Sequence, residues 1–295
     1  MSLDDYPTAT KVWRDLVRDI LGAGTGSSPR GQKVKELIGW QTTIDMKHPL
    51  VLAEGRITPG YFDFAFAEPT WIITGDNMLA PMMKAAPSFV RFSDDGRYMR
   101  GAYGPKIVDQ LTYVVDSIVA DPDTRQAVIN IWRENPRGSK DVPCTLSLQF
   151  LVRSGQIHTV VSMRSSDAWL GWPFDVFSFS MIACWVALLS RERIEHYDHG
   201  RLIAGRNWPD AERQKLSELK LGTLTLNAGS QHIYERDFEK TRAAIKNAYE
   251  PERSHAPLDP LASFATPDEF LAHLDRLRNG TADASPAFLD DLATR

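Results

Sequence analysis

The sequence predicts an α+β fold in which a sheet wraps around a buried helix. Two observations carry this. Residues 174–190, FDVFSFSMIACWVALLS, are apolar on nearly every side, and at that length they suit a helix at the centre of a fold rather than on its surface. Around them stand short segments that alternate apolar and polar residues at the period of two of a half-buried strand. The chain of 295 residues is long enough to bury a core of useful size.

Taken in order, a helix over Ala9 to Leu21 follows from apolar residues at helical spacing, and GAGTGSSPRG after it is a loop by composition. Strands are expected from Glu36 to Ile44 and from Tyr61 to Phe66. PKIVDQLTYVVDSIVADP places Ile107, Leu111, Val114, Val115 and Ile118 on one face of a helix that closes before Pro122. RQAVINIW reads as a buried strand. Cys144 to Met163 reads as a hairpin, CTLSLQFLV and IHTVVSM, joined through Ser154 and Gly155. LGTLTLNAGSQHIY is a further strand, followed by a helix from about Glu235 to Tyr249. Beyond Pro251 the chain becomes rich in Pro, Ala and Asp, with one short helix near Pro267 to Leu277 and a loose last dozen residues. There is no internal repeat.

Composition narrows the partners. Thirty-four basic against 38 acidic residues leave a net charge of −4, which gives no electrostatic case for nucleic acid or a membrane surface. No uninterrupted apolar run spans a bilayer, and MSLDDYPTAT lacks the basic-then-apolar order of a signal peptide. Cys144 and Cys184 are the two cysteines, so no disulfide framework is expected and a reducing, cytoplasmic setting is favoured. No His/Asp cluster has ligand spacing, so no metal is expected.

Within VPCTLSLQF, Cys144 stands just after a proline at the start of a strand. Alone, it reads as core. Arg125 and Arg164 read as surface residues, His232 as a turn histidine and Glu68 as part of a surface turn. Asp175 is either a helix N-cap or a buried carboxyl with a specific partner. Together they say more. Cys144 lies midway between Arg125 and Arg164. Cations lower a thiol's pKa, and arginine binds phosphate through two parallel hydrogen bonds. A thiolate with arginines suggests covalent chemistry on a phosphorylated substrate.

DPDTRQAVINIW, VPCTLSLQF, MRSSDAWLGWPFD and GSQHIY resemble, in order, segments of the thymidylate synthase family, and the resemblance runs from about Arg30 to Tyr249. It implies that family's fold: a mixed sheet around a buried central helix, forming a homodimer through the sheet. The catalytic domain would occupy residues 1–250, with an insertion at about 189–220, and residues 251–295 would be a C-terminal extension. It implies two substrates, a pyrimidine nucleoside monophosphate and 5,10-methylenetetrahydrofolate. Cys144 would attack C6 of the base, with Glu68 and Tyr103 organising proton transfer. Arg30, Arg164 and Ser165 would hold the phosphate, with Arg125 reaching the partner's phosphate site. Asp167, Gly171 and Phe89 would face the folate, and His232 and Tyr234 the sugar hydroxyl.

The departures are informative. The family's base-reading motif ends in asparagine; here GWPFD ends in Asp175. A carboxamide matches uracil, whereas a carboxylic acid can donate to N3 of cytosine and accept from its amino group. An ionised Asp175 facing uracil O4 would set lone pair against lone pair, a mismatch of about 1–3 kcal/mol. Thr145 replaces a histidine, Phe89 and Phe92 stand about where the family has tryptophans, and the C-terminus does not resemble the family's apolar closing tail. The expectation is a cytidylate 5-hydroxymethylase, in which water completes the one-carbon transfer. CMP is favoured slightly over dCMP, in the manner of enzymes that supply nucleoside antibiotics. The alternatives are a viral-type dCMP hydroxymethylase, a thymidylate synthase acting on dUMP, and a non-catalytic nucleotide- or RNA-binding relative.

Overall fold

The structure, a computed structural model, describes residues 6–53, 55–133, 135–136, 138–195, 210–246 and 260–279. Helix α1 (Ala9–Ala23) begins at Thr8, whose side chain accepts a hydrogen bond from the Lys11 N–H, and it buries Trp13, Leu16, Val17 and Ile20. The loop expected after it contains a short edge strand, β1 (Thr25–Ser27), and a 3-10 turn at Pro29–Gly31, where Arg30 adopts φ 53°. Strand β2 (Val34–Asp45) follows.

Tyr61 to Phe66 is helical, against the expectation of a strand. It opens α2 (Tyr61–Ile73), entered through Gly60 at φ 84°. Six alternating residues do not separate a strand from a buried helix. Here the segment is enclosed by other helices and is apolar on several sides, so tertiary burial decides. Helix α3 (Gly104–Ala120) ends before Pro122, and the strand expected in RQAVINIW is confined to β3 (Val128–Asn130).

The hairpin forms as expected. Strands β4 (Thr145–Arg153) and β5 (Gln156–Met163) meet at a two-residue turn with Ser154 at φ 53° and Gly155 at φ 73°, matching the right-handed strand twist. After β6 (Ser166–Asp167) comes α4 (Trp172–Glu195), whose residues from Val176 to Leu188 are all buried. Among the described residues it is the one helix long and apolar enough to cross a membrane, and it lies mostly inside the fold. Residues 189–195, expected to begin an insertion, are its last turns. Residues 196–209 lie outside the described residues, and α5 (Asp210–Ser217) leads into β7 (Lys220–Tyr234).

Among the described residues the strands make one mixed sheet in the order β1-β2-β7-β5-β4-β3, with β6 paired to β7. Strand β7 runs antiparallel to β2 and parallel to β5 and β6. One face packs on α4 through Leu148, Phe150, Val161 and Leu226. The other carries half-buried Thr43, Thr225, Val160 and Gln149 in a cross-strand row. This is the α+β architecture read from the sequence.

After β7 a 3-10 turn at Glu235–Asp237 precedes α6 (Phe238–Lys246). The C-terminal segment contributes α7 (Pro260–Ser263) and α8 (Pro267–Asn279), and the last dozen residues lie outside the described ones. Helix α8 packs against α2 and buries Phe270 and Leu274 completely. Leu274→Ala should therefore lower the unfolding free energy by about 2–5 kcal/mol in a denaturant melt. An unchanged midpoint would show that α8 does not belong to the cooperative core.

Candidate active site

Cys144 lies one residue before β4, where a β-bulge between Thr145 and Ser147 shifts the pairing with β5. Its carbonyl accepts the Arg164 N–H at 2.8 Å. The Arg164 guanidinium then reaches back along the same loop: Nε donates to the Pro143 carbonyl at 3.0 Å and Nη2 to the Val142 carbonyl at 2.9 Å. Three consecutive carbonyls, up to that of the thiol-bearing residue, are held by one arginine.

The thiol opens into a cavity of about 280 Å³. Of the residues singled out from the sequence, Arg30, Glu68, Phe89, Tyr103, Cys144, Arg164 and Asp175 line it, and Phe92 does too. They come from seven separate parts of the chain. Glu68 projects from α2 and accepts a hydrogen bond from Ser178 of α4 at 2.9 Å. Asp175 lies in the first turn of α4, but its N–H bonds to the Gly171 carbonyl, one turn into the helix. It is not the N-cap. It is the alternative, a carboxyl enclosed by the fold.

A second group adjoins the first behind Asp175. Asp167 Oδ1 accepts the N–H groups of Trp169 and Leu170 at 2.9 and 3.0 Å. Gly171 lies against both acids: a Cβ there would stand 3.3 Å from Asp175 Oδ2 and 3.4 Å from the Asp167 carbonyl. Ser165 Oγ and His232 Nδ1 are 3.5 Å apart, and the His232 ring meets Tyr234 edge-on at 5.1 Å. Ser165, Asp167, Gly171, His232 and Tyr234 do not line the cavity around the thiol itself. Arg125 is remote from it. That residue is exposed, and its carbonyl accepts from Gln149 on the outer face of the sheet.

Enclosure dominates the electrostatics. Burial pushes the Glu68 carboxyl up to about 8, with the Asp175 charge adding and the Ser178 hydrogen bond opposing. Burial, then the Asp167 charge, raises Asp175 to about 7. Burial also lifts the Tyr103 phenol well above its usual value, with Asp175 and Cys144 adding. For Cys144 the expectation from the sequence is reversed. Burial raises the thiol, Arg164 and Arg30 only partly offset this, and Arg125 is not among its neighbours. An anionic phosphate held by those arginines would not lower it either. The site is therefore built to hold neutral acids close together and to create charge on demand.

The sequence reading missed Trp71, Met99, Lys140 and Asp141 in the wall. Trp71 is an ordinary helix aromatic by pattern. Lys140 and Asp141 precede Cys144 by four and three residues, a proximity that could have flagged them. It also missed Arg56, buried over the rings of Tyr61, Trp169 and Phe174 with its Nε and Nη2 unpaired. Trp71, Ile72, Phe89, Phe92 and Met99 give the cavity an apolar wall that fits a flat ring such as a pterin. Among the described residues no group of three or more His, Cys, Asp or Glu is placed to hold a metal.

Comparison with known proteins adds two findings. The profile of the family described as thymidylate synthase matches residues 11–199. A deoxyuridylate hydroxymethyltransferase of Bacillus phage SP01 is 30% identical over 198 residues, covering 59% of this chain and 50% of the relative. The chain thus spans about half the length of the curated relative it matches. The matched profile ends before β7, so His232 and Tyr234 lie outside the matched residues.

The raised Glu68 value has a thermodynamic consequence. The folded protein holds this proton more tightly than the unfolded chain, so the Glu68 contribution to stability is complete below about 4.5 and is lost as pH rises through about 8. Glu68→Gln should flatten stability against pH across that window in denaturant melts. A slope identical to that of the parent would show that Glu68 ionises freely in the folded state.

Proposed function

The chain belongs to the thymidylate synthase family, and from that premise we propose that it 5-hydroxymethylates a cytidine monophosphate using 5,10-methylenetetrahydrofolate. The observation that carries the choice of base is Asp175, a carboxyl in the cavity wall where the family places a carboxamide, raised to about 7. A group with that value carries a proton near neutral pH. It can donate to N3 of cytosine and accept from the amino group. The printed name of the phage relative, a hydroxymethyltransferase, supports water rather than hydride as the finishing nucleophile.

The residues then have these tasks. Arg30 and Arg164 hold the phosphate at the mouth of the cavity, next to the thiol. Cys144 adds to C6 of the ring as its proton passes to solvent at the cavity mouth, and C5 becomes nucleophilic. Methylenetetrahydrofolate supplies the one-carbon unit at the oxidation level of formaldehyde, and Phe89, Phe92 and Trp71 give it a flat apolar wall. Glu68, close to neutrality in charge, moves protons to and from the ring. His232 and Tyr234 face the sugar.

Arg125 serves a partner. It lies on the outer sheet face away from its own cavity, and we assign it to the phosphate site of a second copy docked through that face. The reducing setting expected from two free cysteines suits a cytoplasmic enzyme with a thiol nucleophile.

One observation favours a second reading. A protonated Asp175 presents the same donor and acceptor as a carboxamide, and the phage relative is named for a uracil nucleotide. The two readings separate by assay. With CMP, dCMP and dUMP in turn, the expected product carries an added CH2O on a cytidine nucleotide, and the faster of CMP and dCMP assigns the sugar. Any turnover of dUMP should fall as pH rises through about 7, where Asp175 ionises. Asp175→Asn should shift preference toward dUMP by about fivefold or more, as about 1–3 kcal/mol of mismatch requires. Addition of CH2 to dUMP by the parent protein would make it a synthase. The shared site has its own test: mixing inactive Cys144→Ala with inactive Arg125→Ala should restore part of the activity, and failure to do so would place Arg125 outside catalysis.

A further inference from the structure

Hydroxymethylation needs a step for which none of the groups named so far is suited. After the one-carbon unit reaches C5, the ring carries an exocyclic methylene while Cys144 remains bonded to C6. Water must then add to that methylene, and something must take its proton. Glu68 and Asp175 are raised to about 8 and about 7, so near neutral pH they hold protons more than they accept them. Tyr103 is raised further still.

The cavity contains a third carboxyl. Asp141 lines it three residues before the nucleophile and is pinned in place. The Gly101 N–H donates to its Oδ2 at 2.6 Å, and its own N–H bonds to Ser139 Oγ at 3.1 Å. Next to it, the Lys140 N–H bonds to Asp94 at 2.9 Å. The approach to Gly101 is so close that a Cβ there would lie 2.7 Å from Asp141 Oδ1, which only glycine permits. Burial raises this carboxyl too, and the Gly101 hydrogen bond and the Arg133 charge oppose the rise. Among the described residues its hydrogen-bond donor is Gly101, on Oδ2, which leaves the lone pairs of Oδ1 for a water.

We propose that Asp141 is the general base that directs water onto the exocyclic methylene. This rests on the hydroxymethylation reading above. The water oxygen bonds to the methylene carbon as Asp141 takes its proton. The displaced electron pair moves into the ring, restores the C5–C6 double bond and expels the Cys144 sulfur as thiolate, which recovers a proton. No oxidant or reductant is consumed.

Asp141→Asn keeps an acceptor for the Gly101 N–H and removes the base. With tritium at C5 of the cytidine nucleotide, tritium release reports the steps before water addition. The variant should lose hydroxymethyl product by about 100-fold or more while tritium release stays within about twofold. Intact-protein mass should show the nucleotide with its extra carbon accumulating on Cys144. Asp141→Glu, which restores a carboxylate, should recover product and clear the adduct, and it serves as the test if the Asn variant does not fold. Product and tritium release falling together, or neither falling, would overturn the assignment while leaving hydroxymethylation intact. A parent protein that releases no tritium and forms no adduct would overturn hydroxymethylation and this base with it.

Discussion

Ser178 donates a hydrogen bond from one buried helix to Glu68 on another, and that contact ties α4 to α2 at the head of the cavity. Around it the fold does something costly. It encloses several carboxyl groups against a helix that is apolar on every side. Charges in such a place are disfavoured unless paired, so the acids respond by holding protons. The sheet, the central helix and the packing of α8 behind α2 all serve to keep water away from that group.

Cys144 is treated differently. Its loop is held by backbone bonds to a single exposed arginine, so the thiol is located by geometry rather than activated by charge. Arg164, expected from the sequence to bind phosphate, is thereby also the residue that places the sulfur. A phosphate that draws the guanidinium outward would pull on the same loop that carries Cys144.

Much of this was legible in the sequence because local chemistry and global fold agree there. The hairpin through Ser154 and Gly155, the closure of α3 before Pro122 and the buried central helix each follow from short-range pattern. The segment Tyr61 to Phe66 was not legible, because its six residues fit two periodicities and packing chose between them. The pKa of Cys144 was not legible either. Sequence spacing shows which cations are near in the chain, while burial, the larger influence, is a property of the closed cavity. Asp141 escaped for a related reason: its partner Gly101 is forty residues away, and no local pattern announces that contact.

The sheet order has a bearing on how the molecule comes into being. Among the described residues strand β7 is the last in sequence, yet it sits between β2 and β5, pairing Val34 with Tyr234 across two hundred residues. A growing chain that has delivered β2 and β5 therefore carries two unpaired inner strand edges until residues 220–234 arrive. Contacts so distant in sequence form slowly, since a long loop must close before they can stabilise anything. Until then the half-sheet is an adhesive surface, open to pairing with another nascent chain. The strand that carries His232 and Tyr234 is thus also the keystone whose arrival ends that exposure.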